Sequence, residues 1–118
     1  MKVIPVLRCR DLAASLRFYS NTLDFQIRHD HTDKTLVLIK NGMAELLLST
    51  EEGAFQTRVM IRVENVDRAF ESVVAKGHRT NEAPSPAHRR PIDQDWGMRV
   101  FYVDDPDGNS IGFCQPVL

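Results

Sequence analysis

The stretch QDWGMRVFYVDDPDGNSIGF, from Gln94 to Phe113, decides the fold of this chain. It predicts a strand, a tight turn and a second strand, because Asp107–Gly108 separates two runs that favour β-structure. The stretch also carries a tryptophan, an arginine and several acids, which are residue types common in active sites and metal loops. It could therefore form a catalytic site, a metal loop or a stable hairpin.

The acids of this stretch favour a turn. A calcium loop of the EF-hand type needs glycine at its sixth position and glutamate at its twelfth. Counting from Asp105 places Ser110 sixth, and Gly108 comes too early. Pro106 and Gly108 suit a tight turn, in which Asp107 can bond its own backbone. The acids share one turn rather than facing each other across a cleft, so paired-carboxylate hydrolysis is not indicated either.

The order of predicted elements occurs twice along the chain. Each half begins with a strand, at residues 2–9 in the first half, and a helix; Asp11 caps the first helix, and the repeat aligns Asn65 with it. Each half ends in a hairpin, at Asn41–Gly42 in the first and Asp107–Gly108 in the second. The starts of the two halves are 54 residues apart but the hairpins 66, so the second half carries an insertion, the proline-rich loop 81–95.

This duplication predicts an α+β fold built of two βαβββ modules, about residues 1–50 and 56–118 of a single domain. Each module is too small to hold a core alone. We expect the helices to cover the outer face of a mixed sheet and to leave its other face concave.

Composition sets the broad class. The chain has 118 residues, of which 42% are hydrophobic and 26% charged, as in an ordinary globular domain. The net charge of −1 gives no reason to expect a nucleic acid or membrane partner. Cys9 and Cys114 are far apart and outside any CxxC, which argues against a zinc or redox site. The beginning of the chain is too charged for a signal peptide, so a cytoplasmic location is expected.

Two motifs resemble a known superfamily. DLAASLRFYSNTLDF (11–25) and FYVDDPDGNSIGF (101–113), in paired βαβββ units, are similar to the vicinal oxygen chelate superfamily. That superfamily includes glyoxalase I, extradiol dioxygenases, fosfomycin-resistance enzymes and bleomycin-resistance proteins. The Pro-Val-Leu opening and the Trp-Gly before the last hairpin resemble the bleomycin-resistance branch most. Asp24 stands where the family usually has glycine, and aspartate tolerates left-handed geometry better than most residues.

The resemblance implies where a metal would be bound. The superfamily's enzymes hold a divalent cation with His, Glu or Gln from four strands, and such ligands suit zinc, nickel, iron or manganese. Those positions fall here on Ile4, Arg58, Gly112 and either Glu45 or Leu47. One carboxylate does not hold a catalytic metal, and an arginine places a fixed positive charge in the ring. We therefore expect no metal and no other cofactor.

The histidines offer an alternative metal site. His29 and His31 flank Asp30, which is the spacing of two ligands on one face of a strand. A polar strand end or turn accounts for the same residues. His78 follows the helix-ending Gly77 and is expected to be exposed.

Without a metal, the predicted site is a cavity. Strand alternation predicts a floor formed by the residues Ile4, Val6, Glu45, Leu47, Ser49, Arg58, Met60 and Gly112. Phe55, Trp96 and Phe101 are candidates for its rim or wall, since aromatic side chains stack on planar ligands. Other roles are open: Met60 and Leu47 as core, Arg58 as partner of Glu45, and Trp96 as a packing anchor.

The resemblance implies a function. Bleomycin-resistance-like proteins bind and sequester their ligand in a groove between two subunits, whose modules can be exchanged. We therefore predict a metal-free, homodimeric small-molecule binder of bleomycin-type antibiotics. The alternative is a glyoxalase- or dioxygenase-type enzyme with an atypical metal site on Glu45, His29 and His31. A third possibility is a binder of an ordinary metabolite.

Overall fold

The computed structural model describes residues 1–30, 35–79 and 85–117. It contains eight strands and three helices in these ranges. In chain order they are β1 Val6–Arg8, α1 Leu12–Asn21, β2 Gln26–Asp30, β3 Leu36–Asn41, β4 Ala44–Ser49, β5 Arg58–Arg62, α2 Val66–Ala75, α3 Pro86–Arg89, β6 Ile92–Asp93, β7 Met98–Asp104 and β8 Ser110–Pro116. Among the described residues, no helix has the length and apolar character that a transmembrane span requires.

The predicted pair of βαβββ modules is confirmed. The sheets have the strand orders β1-β4-β3-β2 and β5-β8-β7-β6, which are the same order repeated. In each module the first strand runs parallel to the last, as a crossover through a helix requires. The structure separates the predicted mixed sheet into two four-stranded sheets.

The chain divides into two compact units. Unit 1 comprises Met1–Thr57 and Asp104–Asn109, and unit 2 comprises Arg58–Val103 and Ser110–Leu118. The turn between β7 and β8 and the last residue of β7, Asp104, thus belong to unit 1, although the rest of β7 and all of β8 belong to unit 2. The single-domain organisation stays a prediction.

In unit 1, one face of the sheet forms the core. Leu7 pairs with Leu48, and Leu48 pairs with Val37, so the three side chains share a face, and all are at most 1% exposed. Helix α1 contacts β4 and contributes Tyr19, which is fully buried. The helix begins where Asp11 accepts a hydrogen bond from the Ala14 amide.

In unit 2, helix α2 covers the corresponding face. Asn65, which the repeat aligns with Asp11, caps it by accepting from the Arg68 amide. Phe70 of α2 meets the ring of Phe101 edge-on at 5.3 Å, and Phe101 stacks on Phe113 at 5.1 Å. Gly77, with φ +92°, ends the helix in the left-handed conformation that favours glycine.

Two sequence predictions about elements need correction. The first strand is Val6–Arg8 rather than 2–9, because Pro5 has no N–H to donate and the residues before it are mostly exposed. The proline-rich loop contains helix α3 and strand β6. Ser85 and Pro86 are a typical helix start, with proline at the first helical position. Its residues 81–84 lie outside the described ranges.

Candidate functional site

The helix-free face of the unit 1 sheet carries several predicted floor residues. Val6 pairs with Leu47, and Arg8 with Ser49, so these side chains share a face. Glu45, two residues before Leu47, lies on that face one pleat further along. The register therefore places both Glu45 and Leu47 on the predicted face. Ile4 precedes β1 and is 39% exposed.

Glu45 has a partner in its own unit. Its carboxylate forms an ion pair with Lys2 at 3.2 Å, and its side chain is 15% exposed. Arg58 belongs to unit 2, and its role as the partner of Glu45 stays a prediction.

Ser49 has a structural task that strand alternation did not predict. It is 1% exposed, and its hydroxyl accepts hydrogen bonds from the amides of Glu51 and Glu52. Its carbonyl accepts from the Cys9 amide. The hydroxyl that was expected to face a ligand instead organises the turn after β4.

Phe55 lies beneath two arginines of the same unit. The Arg10 guanidinium is 4.3 Å from the ring centroid and that of Arg8 is 5.4 Å away. Phe55 is 37% exposed, which is compatible with its predicted position at a rim.

In unit 2, Arg58, Met60 and Gly112 lie on the helix-free face. Arg58 pairs with Ser110 and Met60 with Gly112 across the parallel strands β5 and β8. The Arg58 guanidinium lies 4.4 Å from the ring centroid of Tyr102 on β7. Strand β8 lies between β5 and β7, so the Arg58 side chain crosses β8 to reach that ring.

Gly112 is what makes room for this arrangement. A Cβ atom at Gly112 would lie 2.5 Å from Met60 Sδ and 2.8 Å from Tyr102 Cε1. The space above the glycine is therefore filled by Met60 and Tyr102. A carboxylate side chain at this position would require both neighbours to move. Gly112 is thus a packed position and not an open part of a floor.

The predicted role of Phe101 at the rim needs correction, and the prediction missed Tyr102 as a residue of the helix-free face. Phe101 is 1% exposed and packs between Phe70 and Phe113, so it belongs to the core and not to a rim. Neighbouring residues of a strand point to opposite faces, so Tyr102 takes the helix-free face. Its hydroxyl was the available signal, because a buried core face favours phenylalanine over tyrosine.

Trp96 is in the turn before β7 and is 57% exposed. Gly97 follows it with φ +88°, and the Gly97 amide donates to the Gln94 carbonyl. This exposure leaves much of the indole available for stacking.

The acids of the last hairpin are structural. Asp105 is 6% exposed and accepts from the Asp107 and Asn109 amides and from the Tyr19 hydroxyl, the last at 2.8 Å. Asp107 accepts from the Arg10 amide and from the Ser15 hydroxyl instead of bonding its own backbone. These carboxylates tie the turn to α1 and to Arg10 just before it, all within unit 1.

No group of three or more His, Cys, Asp or Glu side chains suited to a metal ion occurs among residues 1–29, 35–79 and 85–117. His29 is exposed on β2, opposite Leu38. His31, its predicted partner, lies outside the described residues.

Two shallow depressions lie elsewhere in unit 2. One, of about 400 Å³, is lined by Arg62, Val63, Glu64, Gln115 and Pro116. The other, of about 260 Å³, is lined by Asp93, Arg99, Gln115, Pro116 and Val117. Neither involves a predicted site residue.

A family model identifies the chain. Residues 4–113 match the Glyoxalase/Bleomycin resistance protein/Dioxygenase superfamily. The chain belongs to this superfamily. The recognition made from the two sequence motifs is confirmed, as is the fold class.

Relatives within the superfamily include antibiotic-resistance proteins. The bleomycin resistance protein of Geobacillus stearothermophilus is 26% identical, over 99% of this chain and 98% of its own length. The bleomycin-binding protein of Streptomyces verticillus, solved with copper(II)-bleomycin, is 26% identical with a TM-score of 0.78, over 96% of this chain and 93% of that one. A lactoylglutathione lyase from Agrobacterium tumefaciens shares the fold at 20% identity, with a TM-score of 0.76 over 98% and 92% of the two chains.

Proposed function

We propose that this protein binds and sequesters a small molecule without a metal, in a groove completed by a second copy of the chain. The observation that carries the proposal is the arrangement of Arg58, Met60, Tyr102 and Gly112. Two of these, Arg58 and Gly112, stand where the superfamily's enzymes carry metal ligands. One is a cation, and the other is covered by neighbouring side chains. A cation at this point opposes metal binding.

The exposed apolar side chains support a ligand-binding and dimeric protein. Ile4, Met60 and Trp96 are 39%, 40% and 57% exposed, and all three are predicted site residues. A chain of 118 residues encloses a large ligand poorly by itself. A groove shared by two copies supplies walls from both.

Bleomycin-type antibiotics are the ligand class that the relatives support. Two of the relatives named above are a bleomycin resistance protein and a bleomycin-binding protein. Sequestration needs affinity and no chemistry, which fits a site without paired acids or an activated nucleophile.

Trp96 provides the test. It is the one tryptophan of the chain and is exposed, so ligand stacking should shift its fluorescence emission to the blue. We expect bleomycin, added with EDTA, to shift this emission and to raise the melting temperature. Trp96→Ala should weaken binding by roughly tenfold, since a stacked aromatic contributes on the order of 1–3 kcal/mol.

Met43→Ala is the matched control, because Met43 is exposed in the first hairpin and outside the predicted site. It should keep the affinity of the unsubstituted protein. If bleomycin raises the melting temperature no more than buffer does, the drug-sequestration proposal fails.

A further inference from the structure

The helix-free face of the unit 2 sheet contains a cation whose position is fixed by stacking. The Arg58 guanidinium lies 4.4 Å from the Tyr102 ring centroid, and Tyr102 in turn lies 5.3 Å from the His88 ring. Stacking restricts the rotamers of a long side chain, so less entropy is lost when its N–H groups bind an acceptor. The side chain of Arg58 is exposed, and no acceptor for it occurs among the described residues.

A second polar group on the same face lacks a partner. Ser110 pairs with Arg58 across the parallel ladder, so the two side chains leave the same face of neighbouring strands about 4.8 Å apart. The Ser110 residue is 9% exposed, and its hydroxyl has no hydrogen-bond partner among the described residues. A buried hydroxyl without a partner is unfavourable, and a ligand oxygen that reaches it once the covering side chains move aside recovers this cost.

Charge in unit 2 favours an anion near Arg58. Unit 2 carries eight Lys and Arg against six Asp and Glu, whereas unit 1 carries seven against ten. Two of the unit 2 acids, Asp67 and Asp93, are already paired with Arg99 at 3.0 and 2.9 Å. Apart from Arg99 and these two acids, basic residues therefore outnumber acidic residues in unit 2.

We propose that Arg58, supported by Tyr102, and the Ser110 hydroxyl form a subsite for an oxyanion, in the first instance a carboxylate on a planar ligand. The guanidinium donates two parallel N–H groups to the two oxygens, and the Ser110 hydroxyl donates to one of them. The inference rests on the proposed small-molecule binding function and is independent of bleomycin, whose positive charge this subsite would not recognise. It predicts that anionic aromatic molecules bind this face in preference to cationic ones.

Three probes of the same shape and different charge separate oxyanion recognition from non-specific binding. They are benzoate, benzamide and benzamidine, which are anionic, neutral and cationic. Each is titrated into the ¹⁵N-labelled full chain, and the amide resonances of Tyr102, Ser110 and Gly112 are followed. Benzoate should shift these resonances saturably, benzamide should do so more weakly, and benzamidine should not shift them.

Matched variants test whether Arg58 is the positive charge that binds benzoate. Arg58→Gln should weaken benzoate binding roughly tenfold or more and Ser110→Ala several-fold, because hydrogen bonds to a charged group are stronger than those between neutral groups. Arg58→Lys keeps the charge but loses the planar fork, so its affinity for benzoate should fall between that of Arg58→Gln and that of the unsubstituted protein. Arg62→Gln is the control, since Arg62 is exposed on the same strand and face. Its benzoate affinity should match that of the unsubstituted protein.

The subsite is overturned if benzamidine shifts the same resonances as strongly as benzoate. It is equally overturned if Arg62→Gln weakens benzoate as much as Arg58→Gln does, since net charge alone would then explain the binding. Failure of the proposed function is distinguishable from either result. If bleomycin does not bind while benzoate does, the drug proposal falls and the subsite stands. If bleomycin binds and benzoate does not, the subsite falls and the drug proposal stands.

Discussion

Gly112 determines what the unit 2 face can do. Its missing side chain leaves the volume into which Met60 and Tyr102 pack, and the Tyr102 ring then supports Arg58. A change at this one position would alter the residues that form the proposed subsite. The importance of Gly112 therefore lies in packing as well as in the absence of a carboxylate.

Gly112→Ala should destabilise the protein by about 1–3 kcal/mol, because added volume in a packed region forces neighbours off their rotamers. The free energy of unfolding in urea measures this. In the Met60→Ala background the same substitution should cost less, because the atom nearest to the new Cβ, Met60 Sδ, has been removed. An equal cost in both backgrounds would show that Met60 does not fill this space.

At the scale of elements, the turn Asp104–Asn109 and helix α1 are joined by a buried hydrogen bond. The Tyr19 hydroxyl donates to Asp105 at 2.8 Å, and Tyr19 is fully buried. Burial, with the nearby Asp105 carboxylate as a second cause, raises the pKa of Tyr19 well above its ordinary value. The neutral phenol is thus favoured in the folded state.

This shift predicts a loss of stability in alkali. The pKa of Tyr19 is higher in the folded than in the unfolded protein. Its contribution to the stability of the fold is therefore complete below the unfolded pKa of about 10 and declines as the pH rises above that value. One such group lowers the free energy of unfolding by about 1.4 kcal/mol per pH unit in this range. Tyr19→Phe should be less stable at neutral pH but should lose less stability between neutral and alkaline pH.

Urea midpoints of Tyr19→Phe and the unsubstituted protein across this pH range measure the difference. Cys9 and Cys114, whose thiol pKa values are raised by burial, are present in both proteins, so their contribution cancels. Parallel pH dependences for the two proteins would contradict a buried neutral Tyr19.

Sequence predicted elements better than side-chain roles. Capping residues and the Asn41–Gly42 turn are local signals, so helices α1 and α2 and the two hairpins were placed correctly, whereas the short helix α3 was missed. Phe101 was expected at a rim or wall but lies in the core, because a strand's alternation shows which residues share a face but not which face is covered. Ser49 was misassigned because its bonds to Glu51 and Glu52 depend on the path of the chain after β4. The position of Arg58 over Tyr102 was not predictable, since it requires the order of β5, β8 and β7.

At the scale of the whole molecule, the proposed groove requires two copies of the chain. Light scattering coupled to size-exclusion chromatography should give twice the chain mass of 13.5 kDa. Bleomycin should not change this mass, since the groove exists before the ligand arrives. A monomer that stays monomeric with saturating bleomycin would exclude the shared groove while leaving the residues of each unit available for binding.

The absence of a metal is the central claim, because it separates a binder from a glyoxalase- or dioxygenase-type enzyme. Elemental analysis of protein purified without chelator tests it most directly. We expect zinc, nickel, iron and manganese all to be far below stoichiometric amounts, because Arg58 and Gly112 stand at two of the positions where the family resemblance implies metal ligands. A stoichiometric content of any of these metals, lost in Glu45→Gln or His29→Asn, would contradict the account and favour an enzyme with an atypical metal site.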